Sequence, residues 1–364
     1  MYNVAIIGCG RISHKIAEGV AKNNDRMKLV VLCDPIEEKM FETEKTYNKK
    51  VEKENTILKY KDYKEILKEN KIDIAIISTE SGYHEEIGLY FLENGVNLII
   101  EKPLAMSIEG AQKLVDTAKK NNLKLAASHQ NRFNYPIQLL KKAIKENRLG
   151  RIFNGMARIL WTRDNNYYLQ APWRGTWALD GGTLMNQCIH NIDLINWMMD
   201  DEIDTVYAQT SNYIRNIEAE DYGVILIRYK SGKIATIEGS AIVYPKNLEE
   251  TLTITGEKGT VVIGGMAVNK INTWRVEGDN EQEYLSIDCG DPNSVYGYGH
   301  EALYKDFVDA LNENREPLVN GIAGLNAVKI ILATYKSQKT GMAIKFDEFK
   351  EFSTLDMKKI ATKF

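Results

Sequence analysis

The sequence of 364 residues contains few cysteines and few prolines, 4 and 7 respectively. The cysteines form no CxxC pair and no ligand-like spacing, which argues against a zinc site and against a disulfide framework; they are Cys9, Cys33, Cys188 and Cys289. We therefore expect no metal, and free, mostly buried thiols. Apolar runs such as Ile74 to Ile77 and Val96 to Ile100 are far shorter than the roughly 18 residues of a transmembrane helix.

Neither sign of charge dominates. Lys plus Arg number 47 and Asp plus Glu 50, for a formal net charge of -3, so nothing suggests a nucleic-acid or membrane-surface partner. The N-terminus runs directly into an apolar strand pattern without the regions of a signal peptide, which predicts a cytoplasmic protein. What is present is 44% hydrophobic and 27% charged residues, typical of a globular chain, and a length that suggests about two domains.

Residues 1–125 alternate short β-rich runs with helical stretches, the pattern of a doubly wound parallel sheet. Most of the strands are apolar at consecutive positions, as in strands covered on both faces. The predicted strands are Asn3 to Ile7, Leu29 to Cys33, Ile74 to Ser78, Leu98 to Ile100 and Lys124 to Ala127. The predicted helices are Arg11 to Lys22, Tyr63 to Glu69, Glu85 to Asn94 and Ser107 to Asn121.

Residues 126–342 predict a second domain of α+β type, with longer strands joined by turns. Lys230 to Lys233 and Gly256 to Gly259 are hairpin-like connections, which favour a mostly antiparallel sheet. Helical patterns return at Gly299 to Asn314 and Gly321 to Thr340, and residues 343–364 are interpreted as a C-terminal tail. The predicted strands are Met156 to Thr162, Thr205 to Asn212, Gly223 to Tyr229, Ile234 to Val243, Glu250 to Thr255 and Thr260 to Ile263.

A glycine turn follows the first predicted strand, with the sequence Gly-Cys-Gly-Arg-Ile-Ser at positions 8–13. Gly8 permits a tight turn, and Gly10 permits a pyrophosphate to approach the N-terminus of the next helix, where Arg11 and Ile12 lie. Ser13 replaces the usual third glycine or alanine and is still small. The second strand ends at Asp34, whose carboxylate could accept hydrogen bonds from ribose hydroxyls and would repel a 2′-phosphate. We predict a dinucleotide site that prefers NAD to NADP.

Two further segments carry candidate chemistry. Lys102 lies in a Glu-Lys-Pro triplet at the end of a predicted parallel strand, where open α/β sheets bind their ligands. Asn186 and His190 are four residues apart in a segment interpreted as one glycine-led helix, and would share a face. Taken alone, Lys102 could equally be a surface lysine and His190 a structural histidine.

Together, these segments resemble the glucose-fructose oxidoreductase, inositol dehydrogenase and rhizopine-catabolism (Gfo/Idh/MocA) family. The resemblance covers nearly the whole chain and includes the glycine turn, Ser78-Thr79, His84, Glu101-Lys102-Pro103, the segment Gly181 to Asp193 and Tyr298 to Glu301. It implies an N-terminal Rossmann domain for NAD, a C-terminal open sheet used for oligomerisation, hence a homodimer or homotetramer, and hydride transfer at a sugar or polyol carbon.

The resemblance also implies roles for individual residues. His190 would accept the hydroxyl proton, Lys102 would polarise the same oxygen, and Asn186 would position a hydroxyl. Asp193 could orient His190, or serve as a cap or domain contact. The expected cofactor contacts beyond the glycine turn and Asp34 are Ser78, Thr79, His84, Glu101, Lys102, Trp173 and Arg174. The expected substrate contacts are Lys102, Arg132, Arg163, Arg174, Thr176, Asn186 and His190.

Within the family, the stretch Tyr167 to Gly182 looks most like nucleotide-sugar 3-dehydrogenases, which oxidise C3 of UDP-N-acetylglucosamine or of its uronic acid. Many polyol-oxidising relatives carry Asp where this chain has Asn186, which puts inositol oxidation in doubt. Arginines suit a pyrophosphate or carboxylate, and Arg174 is the first candidate. Trp173 and Trp177 could line the site or pack in the core, and His14, His129 and His300 receive no functional role.

Three alternative functions stay open. An NAD-dependent glycosidase would oxidise C3 transiently and return the hydride, and a dehydrogenase could act on another sugar or polyol such as myo-inositol. A regulatory NAD-binding protein with a degenerate site would be expected to lack Lys102 or His190, and both are present.

Overall fold

The computed structural model describes residues 1–290 and 297–357. These residues form two compact units: the first contains residues 1–129 and 300–325, and the second contains the described parts of 130–299 and 326–364. All four cysteines are free: Cys9, Cys33 and Cys188 are buried and Cys289 is half-buried, as expected. Among the described residues, no helix is both long and apolar enough to cross a membrane.

Residues 1–129 form a Rossmann architecture of alternating strands and helices. The strands are β1 (Tyr2–Ile7), β2 (Met27–Cys33), β3 (Leu58–Tyr60), β4 (Ile74–Ile77), β5 (Asn97–Ile100) and β6 (Leu125–Ala127). The helices are α1 (Ser13–Lys22), α2 (Glu37–Val51), α3 (Tyr63–Glu69), α4 (His84–Glu93) and α5 (Ile108–Lys120).

All six of these strands are parallel, in the order β3-β2-β1-β4-β5-β6. Every residue of β4 is buried, because helices cover both faces of the sheet. Helix α5 shows why the flanking helices form: Ser107 Oγ accepts the Gly110 N–H at 2.9 Å, and Ile108, Ala111 and Leu114 lie on one buried face. The doubly wound parallel fold is confirmed, although the three-residue strand β3 was missing from the prediction.

The later elements belong mainly to the second unit. The helices are α6 (Tyr135–Lys145), α7 (Asn165–Leu169), α8 (Thr183–Asn186), α9 (Ile189–Met199), α10 (Glu281–Leu285), α11 (Gly299–Glu313) and α12 (Gly321–Thr340). The strands are β7 (Ile152–Leu160), β8 (Ile203–Ser211), β9 (Tyr222–Tyr229), β10 (Ile234–Ser240), β11 (Glu249–Gly256), β12 (Gly259–Gly264), β13 (Lys270–Val276) and β14 (Ile344–Lys345).

The sheet of the second unit has eight strands in the order β13-β12-β11-β7-β10-β9-β8-β14. Among the strands of the described residues in this sheet, only β7 and β10 pair in parallel, so the predicted mostly antiparallel sheet is confirmed. Both predicted hairpins are present, since β9 leads into its partner β10 through 230–233 and β11 into β12 through Glu257 and Lys258. Buried and exposed side chains alternate along β9, so one face of this sheet packs on helices and the other is open.

The unit boundaries differ from the predicted domain boundaries in three places, the first being the end of the N-terminal segment at 129 instead of 125. Residues 300–325 pack with the first unit rather than the second: Glu301 pairs with Lys22, and Tyr304 packs so closely on α1 that a Cβ at Gly19 would lie 2.6 Å from its ring. Residues 344 and 345 are not a separate tail, because they form β14 and pair with β8. The functional roles assigned to the two domains stay predictions.

Candidate active site

The glycine turn joins the ends of β1 and β4. Gly8 has a φ of +92°, and a Cβ there would lie 2.6 Å from the Ser78 carbonyl and from the Thr79 nitrogen. A side chain is therefore excluded by both conformation and space. The Ser78 N–H donates to Ile7 O at 2.7 Å, and its hydroxyl donates to Gly8 O at the same distance. Ser78 thus fastens the turn; a contact of Ser78 with the cofactor stays a prediction.

Space for a phosphate lies at Gly10. Apart from Gly10 and its two chain neighbours, no described atom lies within 4 Å of the position that a Cβ would take there, three residues before α1 begins. Arg11 is exposed and Ile12 half-buried. The hydroxyl of Ser13 donates to Gly10 O at 2.7 Å and lies 2.9 Å from Thr43 Oγ1 on α2. Serine at this position therefore leaves the fingerprint intact and links the two helices.

Asp34 lies beside the glycine turn, at the end of β2. Its Oδ2 accepts the Cys9 N–H and its Oδ1 accepts the Ile36 N–H, both at 2.8 Å. These backbone bonds hold a buried carboxylate in place, and each oxygen keeps a second acceptor site for a ribose hydroxyl. The glycine turn, the space at Gly10 and the Asp34 carboxylate fit the adenosine and pyrophosphate portions of NAD.

The Glu-Lys-Pro triplet follows β5 at the same edge of the sheet. Glu101 and His300 are both buried, with Glu101 Oε1 3.8 Å from His300 Nε2. Burial disfavours the Glu101 carboxylate, but His300 and Lys102 outweigh burial and lower its pKa. Lys102 is half-buried, and its backbone N–H donates to Glu101 Oε2 at 3.4 Å. His300 had no role in the prediction, because nothing in the local sequence indicates its proximity to Glu101.

His84, the first residue of α4, is 1% exposed. Its Nδ1 lies 2.7 Å from Pro103 O and its Nε2 lies 3.2 Å from Thr79 O. The ring therefore lies between the turn that follows β4 and the turn that follows β5. Thr79 itself is half-buried.

In the second unit, Asn186 and His190 do not share one helix, which corrects the prediction. Asn186 ends α8, and His190 lies in the first turn of α9, with a break at Gln187 and Cys188. The break packs against β10 at Gly239, where a Cβ would lie 2.6 Å from Cys188 Sγ. In the fully described segment 180–195, Asn186 and His190 are the only side chains that are not buried.

A hydrogen-bonded network connects Asn186 to an arginine. Asn186 Nδ2 donates to Asp180 Oδ1, and Asp180 Oδ2 accepts the Gly175 N–H at 2.7 Å. On the other side, Gln187 Nε2 lies 3.2 Å from Asn186 Oδ1 and 3.3 Å from the hydroxyl of Tyr167. Tyr167 also accepts from Arg174 Nη1 at 2.6 Å. The structure thus brings together Arg174 and Asn186 through residues to which the sequence gave no role.

Two guanidinium groups flank the Tyr167 ring. Arg174 lies 4.3 Å and Arg163 5.3 Å from its centroid, and the same arginines contact Trp173 and Trp161, each at 4.7 Å. The aromatic rings hold both cations by cation–π contact while leaving other guanidinium N–H groups for a ligand. Arg174 Nε is buried with no hydrogen-bond partner among the described residues. Thr176, also in this loop, donates its hydroxyl to Trp173 O at 2.7 Å.

Arg132 and Asp193 form a separate, buried pair. Arg132 Nε and Nη2 donate to the two carboxylate oxygens of Asp193 at 2.7 and 2.6 Å, and the guanidinium also lies over Trp197 at 4.8 Å. The pair joins α9 to the segment around Arg132, so both oxygens of the Asp193 carboxylate accept hydrogen bonds from Arg132. Substrate contact by Arg132 stays a prediction that these surroundings do not favour.

Glu220 supports the start of α8 and was not identified from the sequence. Its Oε1 accepts the Leu184 N–H at 2.8 Å and the Tyr335 hydroxyl at 3.1 Å, while its Oε2 lies against Gly182, where no side chain could fit. Burial raises the pKa of Glu220 to about 8. Trp177 packs edge-on against Tyr335 with ring centroids 5.0 Å apart, which places this tryptophan in the core.

Comparison with known proteins agrees with this arrangement. Residues 2–129 match the NAD-binding Rossmann fold of the Gfo/Idh/MocA oxidoreductase family, and residues 141–346 match its C-terminal alpha/beta domain. The myo-inositol 2-dehydrogenase of Thermotoga maritima is 24% identical over 350 residues, covering 95% of this chain and 98% of that protein.

Two solved structures are similar over the same extent. The WlbA dehydrogenase from Bordetella pertussis, crystallised with NADH and UDP-GlcNAcA, is 32% identical with a TM-score of 0.83 and covers 94% of this chain and 98% of its own. The WlbA dehydrogenase from Chromobacterium violaceum, in complex with the same two molecules, is also 32% identical with a TM-score of 0.83, covering 94% of this chain and 95% of its own. The chain therefore belongs to the Gfo/Idh/MocA family and is an NAD-dependent oxidoreductase.

Proposed function

We propose that this enzyme oxidises the C3 hydroxyl of a UDP-N-acetylhexosamine, either UDP-N-acetylglucosamine or its uronic acid. The observation that carries the substrate class is the pair of guanidinium groups around Tyr167, which is hydrogen-bonded through Gln187 to Asn186. A nucleotide sugar brings a pyrophosphate, and the uronic acid also a carboxylate, and guanidinium groups recognise both. A neutral polyol would have no use for two such cations. The complexes of both WlbA dehydrogenases with UDP-GlcNAcA support the same class.

The reaction requires a proton acceptor and a group that stabilises charge on oxygen. We assign the acceptor role to His190, because an imidazole can accept a proton near neutrality and His190 is, with Asn186, one of the two half-buried side chains in segment 180–195. Lys102 would donate a hydrogen bond to the same hydroxyl oxygen and stabilise its developing negative charge. Asn186, held by Asp180, would position the sugar without adding charge. When bound, NAD accepts the hydride that leaves the carbon.

Oxidation of an inositol is the second candidate. It is favoured by the Thermotoga maritima myo-inositol 2-dehydrogenase, which matches over almost its whole length. The two arginines at Tyr167 are the feature that argues against it, since an inositol carries no anionic group for them to bind. We also propose a cytoplasmic location for the enzyme, as the sequence predicts, whichever substrate it oxidises.

The substrate class is tested by adding NAD and one candidate at a time to the purified protein and following the absorbance of reduced nicotinamide. The candidates are UDP-N-acetylglucosamine, its uronic acid and myo-inositol, each at substoichiometric and excess concentration. We expect NADH formation with one UDP-sugar, and a single burst of one NADH per enzyme would count as a positive result. Reduction with myo-inositol alone would contradict the proposal and favour the second candidate.

We further propose that the open face of the eight-stranded sheet mediates a homodimer or homotetramer. Tyr207, Leu226 and Met156 are exposed, and the strand register places them in one row across the sheet, with Thr236 between Leu226 and Met156. Such an apolar row is typical of a surface that is covered in an assembly. Light scattering should show an oligomer for the wild type and a smaller species for Leu226→Asp; a monomeric wild type would contradict the proposal.

A further inference from the structure

The ring of His84 connects two turns at the edge of the first sheet where the cofactor residues lie. β4 and β5 are parallel neighbours, and their C-terminal ends lead into the turns that contain Thr79 and Pro103. The ring nitrogens of His84 lie 2.7 Å from Pro103 O and 3.2 Å from Thr79 O. At 1% exposure, the ring offers almost no surface to a ligand.

The two carbonyl contacts indicate which ring nitrogen of His84 carries a proton. A carbonyl oxygen can only accept, so the nitrogen that bonds to it must carry a proton. Burial lowers the pKa of His84, which favours the neutral ring with one N–H. The shorter contact assigns that proton to Nδ1, and the Nδ1–H donates to Pro103 O. Nε2 is then unprotonated, so its 3.2 Å approach to Thr79 O is a packing contact and not a hydrogen bond.

This bond extends a series of contacts that begins at the glycine turn. Gly8 packs directly on the Ser78-Thr79 peptide, and the ring of His84 faces the Thr79 carbonyl on one side and the Pro103 carbonyl on the other. Lys102 is joined to Pro103 by the peptide bond, so holding Pro103 O also restricts the backbone of Lys102. One imidazole therefore packs against the peptide that supports the glycine turn and donates its hydrogen bond to the residue that follows the lysine.

We propose that His84 is a positioning residue for NAD and Lys102, acting through its Nδ1–H bond to Pro103 O rather than by touching the cofactor. The assignment replaces the cofactor contact that the sequence predicted for His84. It rests on NAD binding by the family and is independent of which sugar is oxidised.

The test compares two amides that differ in which ring nitrogen they can replace. In His84→Asn the side-chain amide can take the place of Nδ1 and keep the bond to Pro103 O, whereas in His84→Gln the amide takes the place of Nε2. We expect the Kd for NADH, measured by nicotinamide fluorescence, to stay within about threefold of wild type in His84→Asn and to rise about tenfold in His84→Gln and His84→Ala, the effect of losing one hydrogen bond.

Activity provides the second readout. At saturating NAD and sugar, kcat should fall in His84→Gln and His84→Ala and recover in His84→Asn, because the lysine is displaced only when the bond to Pro103 is missing. Ile66→Ala serves as the control for stability alone: Ile66 is buried on α3 in the same unit, and its truncation should lower Tm without changing the Kd for NADH.

Two results would overturn the inference. One is NADH binding by His84→Ala that equals wild type. The other is equal loss in His84→Asn and His84→Gln, which would mean that the aromatic ring itself, and not its Nδ1–H, is required. If His84→Ala does not fold, the comparison of the two amides still decides.

Discussion

The two units hold their candidate site residues in different ways. In the first unit, the key groups are fixed by main-chain atoms: the Asp34 carboxylate accepts two backbone N–H groups, and the His84 ring faces two backbone carbonyls. In the second unit, Asn186 and Arg174 are held by other side chains, through Asp180, Gln187 and Tyr167. A site held by the main chain changes only when the fold changes, whereas one held by side chains changes with a few substitutions. The difference suits a shared cofactor and a variable substrate.

The largest effect is expected at the two proposed catalytic groups, Lys102 of the first unit and His190 of the second. Lys102→Ala and His190→Ala should each lower kcat by about 10²- to 10⁴-fold, because proton transfer and charge stabilisation are lost, while the Kd for NADH stays near wild type. Stopped-flow NADH formation and NADH fluorescence measure the two quantities. The control is Lys113→Ala, an exposed lysine on α5 that pairs with Glu85. Near-normal kcat in either site variant would refute its role.

Substitution of the two glycines in the turn after β1 tests the main-chain support of the first unit, and we expect opposite results at the two positions. Gly8→Ala should lower the free energy of unfolding by about 2–4 kcal/mol, since a Cβ would clash with Ser78 and the φ of +92° is unfavourable. Gly10→Ala should leave Tm unchanged but abolish measurable NADH binding, because the methyl group fills the space left for phosphate. Thermal unfolding and NADH titration distinguish the two. A stable Gly8→Ala or a binding-competent Gly10→Ala would contradict this description of the turn.

In the second unit, removing a single hydroxyl should change substrate affinity without affecting the cofactor. Tyr167→Phe keeps the ring that both arginines contact but removes the oxygen that contacts Arg174 and Gln187. We expect KM for the UDP-sugar to rise about tenfold, as for the loss of one hydrogen bond to a charged group, with the Kd for NADH unchanged. Steady-state kinetics measure the change. An equal loss of NADH affinity would show that the side-chain network also supports the cofactor.

The smallest expected effect is a change in how stability depends on pH when Glu220, which supports the start of α8, is substituted. Because the pKa of Glu220 is raised from 4.5 to about 8, the folded protein binds more protons than the unfolded chain between these values, and the free energy of unfolding falls as pH rises across that window. Glu220→Gln removes this contribution, so its Tm should gain on the wild type as pH increases. Burial also raises the pKa of Glu250 to about 8, so the variant should still lose some stability as pH rises. Parallel Tm curves for the two proteins would contradict the assignment.

Local sequence signals predicted much of the fold and of the first unit's site. The apolar runs and the glycine turn located β1, β4 and α1, because strands covered on both faces and strand-to-helix turns have short-range signatures. Asp34 and Lys102 were placed by the same logic, since each follows a strand that ends at the same edge of the sheet.

Long-range packing explains what the sequence did not predict. The break between α8 and α9 arises from close packing on Gly239, more than fifty residues away in the sequence, and the helical pattern continues through it unchanged. The contact of His300 with Glu101 and the support of α8 by Glu220 likewise join distant segments. The pairing of Arg132 with Asp193 was likewise not indicated by the local sequence, and substrate contact by Arg132 stays a prediction.

Gly239 has no side chain, yet it can affect the positions of Asn186 and His190, because the break between α8 and α9 packs on it. Asn186 and His190 belong to two short helices, so the separation of their side chains depends on how deeply the connecting residues settle onto the strand below. A single methyl group added at Gly239 would clash with Cys188 and displace the connection, which would change the separation of the two polar groups. The fit of a sugar hydroxyl can thus be tuned from a strand position that never meets the sugar, a route by which members of this fold can acquire new substrates while their reacting groups stay the same.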